Sequence, residues 1–134
     1  FEIMNGTNPK KHYITAKYDF AVDATGAGGF PRTITLATTS TLPDNAIVNE
    51  VVMYCPTAVT SAGAATLGIN AGGVNVTDLV AKAVLTDEVV VSTEKVKAGG
   101  KATSAAPIKV INGTAAFTAG VVEITVGYFI GTKE

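Results

Sequence analysis

The feature that most limits what this chain can fold into is its excess of β-branched side chains. Val, Ile and Thr occupy 45 of 134 positions, against five for Leu. Two heavy atoms on Cβ restrict rotamers in a helix, whereas a pleated sheet accommodates them. These residues also fall in alternating runs. From His12 to Val22, Ile14, Ala16, Tyr18, Phe20 and Val22 share one face, while Tyr13, Thr15, Lys17, Asp19 and Ala21 share the other. Period-two alternation is the signature of a strand with one buried and one solvated side.

Further strands follow. Arg32–Thr38 places Ile34 and Leu36 inward and Thr33 and Thr35 outward. Leu42-Pro43-Asp44-Asn45 reads as a turn. Ala46–Cys55 is apolar on both faces, with Ile47, Val51, Met53 and Cys55 on one and Val48, Val52 and Tyr54 on the other; Pro56 is expected to end it. A strand of that kind is central or lies at a subunit contact. Ala64–Asn70, Val89–Val96, Ile108–Ile111 and Val121–Ile130 read as strands, and Asn112-Gly113 as a tight turn. Asp78–Leu85 has room for one helical turn capped by Asp78. About eight strands separated by turn signals predict an all-β, antiparallel, jelly-roll-like β-sandwich. The expected organisation is an N-terminal arm over residues 1–11 and a single domain over 12–134.

Composition narrows the function. Ten basic and eleven acidic residues are dispersed and give a net charge of −1. Phosphate binding needs concentrated basic charge, so nucleic acid is not an expected partner. The sparse run Lys95, Lys97 and Lys101 reads as a solvated loop. The longest apolar stretches, Val48–Cys55 and Gly120–Ile130, fall short of the roughly 20 residues a membrane helix needs. Glu50 and Glu123 interrupt them, so no membrane association is expected, and no signal peptide is evident.

The chemical inventory is thin. There is one His, one Cys and no Trp. His12, at a strand start beside Lys10 and Lys11, reads as a surface residue. Cys55 reads as a buried structural thiol. One His and one Cys cannot supply an ordinary zinc site. Asp19 with Asp23, and Asp87 with Glu88, are acid pairs whose spacing does not distinguish them from solvated carboxylates. Asp23, Asp44 and Asp78 lack the ligand run of a calcium loop. Gly26-Ala27-Gly28-Gly29 lacks the lysine and following helix of a phosphate loop. Asn5, Asn75 and Asn112 begin glycosylation sequons that chance explains in so Thr-rich a chain. Tyr18, Phe20, Tyr54 and Tyr128 fall on faces read as inward, leaving Phe30 and Phe117 as the exposed rings. No catalytic, metal or cofactor site is expected, and the chain reads as non-enzymatic.

Several segments taken in order, Ala16-Lys17-Tyr18-Asp19-Phe20-Ala21-Val22-Asp23, Leu42-Pro43-Asp44-Asn45-Ala46-Ile47-Val48, Thr60-Ser61-Ala62-Gly63-Ala64-Ala65-Thr66 and Ala115-Ala116-Phe117-Thr118-Ala119-Gly120, carry a resemblance. They resemble small all-β virion structural proteins of tailed bacteriophages, of the head-decoration, head-fibre or tail-associated kind. The resemblance spans roughly residues 12–130, and its motifs are turns and strands. It implies a protein on the capsid exterior that binds the major capsid protein and associates with itself as a homotrimer. It brings no catalytic residue. Phe1, Ile3 and Met4 of the arm, with Val48, Val52 and Tyr54, are the candidate contact positions, ordinary core being the alternative for the last three. Two other classes stay open: a tail-fibre or receptor-binding module for a host glycan, and an extracellular filament subunit exchanging its N-terminal strand.

Overall fold

The computed structural model describes residues 11–23, 29–72, 74–75, 80–81, 85–93, 102 and 104–131. Among them lie twelve strands: β1 (His12–Asp19), β2 (Arg32–Thr35), β3 (Thr38–Thr39), β4 (Thr41–Leu42), β5 (Ala46–Ser61), β6 (Thr66–Ala71), β7 (Val74–Asn75), β8 (Val80–Ala81), β9 (Val89–Thr93), β10 (Ala106–Pro107), β11 (Lys109–Gly113) and β12 (Phe117–Ile130). One sheet runs β3-β1-β12-β5-β9; a second runs β2-β11-β6-β7, with β8 also on β6; β4 and β10 form a short ribbon. Every pairing is antiparallel.

The inner faces of the two large sheets supply one core, so the architecture is a β-sandwich. Ala16 and Tyr18 of β1, Val51 and Met53 of β5, and Val122, Ile124 and Val126 of β12 meet Ile34, Leu67, Ile69 and Val110 from the second sheet. Tyr18 and Phe117 pack ring on ring, with centroids 5.5 Å apart. Phe117 is therefore a core residue at 2% exposure, not the exposed ring expected from the sequence.

The two ladders flanking β12 are unlike. The β1–β12 ladder runs from His12↔Tyr128 to Asp19↔Val121 with no slip. The β12–β5 ladder slips four times. Between Tyr54 and Thr57, β5 advances three residues while β12 advances two, and Pro56 lies in that bulge. Pro is tolerated where a strand gives up a ladder bond, so β5 continues to Ser61 where the sequence predicted a stop. A second bulge, at Asn49, reverses the alternation. Val48 consequently faces the core at 2% exposure, and Ile47 takes the outer phase with Val52 and Tyr54. Gly120 sits at a third, with φ +133°; a Cβ there would lie 2.8 Å from Val59 Cα. That position requires glycine.

β1 ends at Asp19, where a turn follows in place of the strand expected to Val22, and Val22 is 65% exposed. The chain passes from the second sheet to the first between β2 and β3. Asp23 fastens that crossing: one carboxylate oxygen accepts the Asp19 N–H at 2.8 Å and the other the Ala37 N–H at 2.7 Å. Asn112 and Gly113 belong to β11, and the turn comes after them, with Thr114 at φ +73°. The buried Asn112 amide donates to the Ala115 carbonyl, and its oxygen accepts the Phe117 N–H. Val80–Ala81, expected within a helical turn, are strand; Asp78, Leu79 and residues 82–84 of that stretch lie outside the described residues.

Candidate interaction surface

The outer face of the five-stranded sheet is the most distinctive surface of the described residues. Cross-strand register builds it in rows. Lys17, Glu123, Tyr54 and Val90 form one, Thr15, Thr125 and Val52 the next, Tyr13, Gly127 and Glu50 a third, and Phe129 with Ile47 a fourth. Tyr13 is 57% exposed and Val90 60%, while Ile47, Val52, Tyr54 and Phe129 are half-buried. Apolar and aromatic groups thus alternate with one positive charge, Lys17, two negative ones, Glu50 and Glu123, and several hydroxyls. Such a mixture suits an interface better than a purely solvated face.

Its polar groups are locally organised. The Tyr54 hydroxyl donates to the Glu88 carboxylate, and that hydrogen bond holds the phenol above its ordinary pKa. Lys11 reaches across Gly127 to Glu50, with Nζ 2.9 Å from Oε1, and passes 5.3 Å from the Tyr13 ring centroid. The bond to Glu50 raises the Lys11 pKa. A Cβ at Gly127 would sit 2.9 Å from Lys11 Cε, so the missing side chain is what lets the lysine cross.

Of the candidate contact positions, Val52 and Tyr54 lie together on this face and Val48 does not. Phe1, Ile3 and Met4 lie outside the described residues. Sequence reasoning missed Tyr13, Ile47, Val90 and Phe129. Tyr13 and Phe129 carried a signal, because each is a large ring in the outward phase of an alternating strand. Ile47 carried none, since its orientation is set by the bulge at Asn49. Tyr54, expected inward, faces out for the same reason.

The chemistry-bearing residues have structural work. The His12 ring lies against Tyr128, centroids 5.3 Å apart and planes 23° from parallel. Cys55 is buried, and its thiol donates toward the carbonyls of Thr57 and Leu85. Burial pushes the thiol pKa up, so it stays protonated and unreactive at neutral pH. Asp19 accepts the Ala21 N–H and Asp87 the Ala58 N–H. These acids brace turns, as Asp23 does. Among the described residues, no three His, Cys, Asp or Glu side chains gather into a group suited to a metal ion. Arg32 stacks on Phe30 with its guanidinium carbon 4.0 Å from the ring centroid. Asn112 is fully buried, so its sequon is closed to glycosylation in the folded protein. No helix among the described residues is long and apolar enough to cross a membrane.

Two solved structures align with this chain over most of its length. A chain of the cyanophage Pam1 capsid asymmetric unit superposes with a TM-score of 0.57 at 19% identity, covering 98% of this chain and 92% of that one. The likeness is one of fold. A chain from the capsid of Ralstonia phage GP4 aligns at 18% identity over 90% of this chain and 86% of that one, with a TM-score of 0.48. No protein-family model and no curated protein matches the sequence.

Proposed function

We propose that this protein is a non-enzymatic structural component of a tailed-bacteriophage virion. In this reading it is a decoration or head-fibre protein that coats the capsid exterior in many copies, as a homotrimer bound to the major capsid protein. The observation that carries the reading is the fold likeness to a chain of the Pam1 capsid asymmetric unit. That likeness takes in nearly the whole of two chains of similar length, which suits a small add-on subunit. Residue chemistry supports the same reading: Asp19, Asp23, Asp87 and the thiol are engaged in bracing the sandwich, and among the described residues apolar and aromatic side chains lie exposed on a sheet face.

The mechanism is repeated attachment. A ligand that binds the assembled shell better than its parts stabilises the shell by mass action, and a modest contact suffices when it recurs over a lattice. Val52 and Tyr54, joined by Tyr13 and Phe129, are the contact positions on the sandwich. Phe1, Ile3 and Met4 are those on the arm. Val48 leaves the set because it is core.

The test is to mix the purified protein with empty phage capsids and follow coating by light scattering and electron microscopy. The full chain is expected to coat the shell, and deletion of residues 1–8 to abolish coating with the circular dichroism spectrum unchanged. Normal coating by the truncated protein would remove the arm from the contact. A protein that ignores capsids but adheres to host cells would be a receptor-binding module. Open-ended filaments of the protein alone would make it a filament subunit.

A further inference from the structure

We infer that copies of this chain join edge to edge, with β9 of one copy pairing antiparallel to the first half of β1 of the next. The inference rests on the multi-copy reading above but not on capsid binding.

Two edges of the five-stranded sheet are open among the described residues. β9 ends the five-stranded sheet, and among the described residues no strand lies beyond it. It reads Val-Val-Val-Ser-Thr, with none of the lysines, prolines or bulges that natural edges use to refuse a partner. At the opposite edge, β3 pairs with β1 only at Ala16 and Lys17, and Ser40 N–H bonds the Thr15 carbonyl. Over His12–Ile14 no strand among the described residues lies on that side. The two open stretches are comparable in length, and each carries one prominently exposed apolar side chain on the same face of the sheet, Val90 and Tyr13.

Strand direction makes the edges complementary. β1, β12, β5 and β9 alternate in direction, so β1 and β9 of one chain run opposite ways. Rotating a copy about an axis along the strands brings its β1 beside the first copy's β9 with that alternation preserved. Because β3 occupies β1 from Thr15 onward, the register that fits sets Val90 opposite Tyr13 of the next copy, Val89 opposite Ile14 and Val91 opposite His12. Aromatic and β-branched residues make favourable cross-strand pairs. The charges agree: the exposed Asp87 and Glu88 at the foot of β9 come to the end of β1 that carries the exposed Lys17. A contact between two different edges closes into a ring when the rotation permits, and closure removes both edges.

The experiment places cysteines at both positions, Tyr13→Cys with Val90→Cys, and treats the purified full chain with a short bis-maleimide, which adds one thiol across each of its double bonds. Within one chain these positions are three strand spacings apart, about 14 Å, and also four residues out of row, about 13 Å along the strands, so a short linker joins them only between copies. The expected result is a ladder of covalent oligomers ending at the ring size, mapped by mass spectrometry to 13–90 linkages, and no ladder from either single variant. Val90→Lys is expected to shift the light-scattering mass to that of a monomer, with circular dichroism unchanged. Cross-linking by Val90→Cys alone would mean that β9 meets β9, and would overturn the inference. So would a wild-type monomer, or an oligomer whose double variant forms no 13–90 link. Capsid coating is scored separately, on the unsubstituted chain: 13–90 links in the double variant, with no coating by the unsubstituted chain, leave this contact standing and sink the decoration reading.

Discussion

β12 is flanked by two ladders built on opposite plans. On its β1 side the register runs without a slip from His12↔Tyr128 to Asp19↔Val121; on its β5 side four slips fall within one pairing. Both ladders bury the same inner row of β12, so the difference is not one of burial. It lies in the residues that interrupt. The β5 side contains Pro56, the half-buried Asn49, and Gly120 and Gly127, where side chains or backbone press close. A regular ladder holds by repetition, and substitutions along its wet face should matter little. An irregular ladder concentrates its requirements at a few positions, and those should be intolerant.

The widest break in that contrast comes from Phe117, which starts β12 at its irregular end and packs on Tyr18 of the regular ladder. Phe117→Ala should cost about 3–5 kcal/mol in urea denaturation, the range for emptying a buried aromatic site. Gly120→Ala comes next. It combines a positive φ with a Cβ forced into Val59, and about 2–4 kcal/mol is expected, whereas Thr125→Ala on the outer face should stay within about 0.5 kcal/mol. Equal losses at the two positions would erase the distinction between the ladders.

Tyr18→Phe should move stability the other way. The Tyr18 hydroxyl is buried with no hydrogen-bond partner among the described residues, so removing it should stabilise the fold by about 1 kcal/mol at neutral pH. Burial, with Asp23 and Asp19 nearby, raises the Tyr18 pKa. Above pH 10 the unfolded chain sheds this proton first, and the folded protein retains it. Stability therefore falls as pH rises past 10, by up to about 1.4 kcal/mol per pH unit for one such group. The substitution should make that decline shallower. The smallest effect belongs to Pro56→Ala. The bulge asks little of that residue, and the loss should be under about 1 kcal/mol, arising from the freer unfolded chain. A larger loss would mean that proline shapes the bulge.

The same contrast explains how much of the molecule could be read in advance. The inner row Ile14, Ala16 and Tyr18, and its partners Val122, Ile124 and Val126, followed from alternation because nothing in that ladder disturbs the period of two. The sandwich followed with them. β5 defeated the reading because a bulge is a property of two strands: nothing local to Ile47-Val48-Asn49 says which residue the partner will skip. Plain alternation puts Val48 on one face with Val52 and Tyr54, whereas the bulge turns Val48 to the core and leaves the other two outside. Phe117 lies in the core because β12 starts there, four residues ahead of the Val121 at which its Val-rich alternation begins. The candidate surface was half legible. Val52 and Tyr54 were named, while Tyr13 and Val90 emerged only once the register had put them on one face.

The pairing of His12 with Tyr128 has a mechanical consequence. Because β1 and β12 are antiparallel neighbours, the chain enters β1 and leaves β12 at one pole of the sandwich, side by side. A load applied between those two points would peel the ladder open a bond at a time, as a zip opens, since no geometry shares the force across all the bonds at once. A load passing from β9 to β1 through the width of the sheet would meet every ladder broadside. A protein of this shape is weak when tugged by its ends and strong when stretched as a patch.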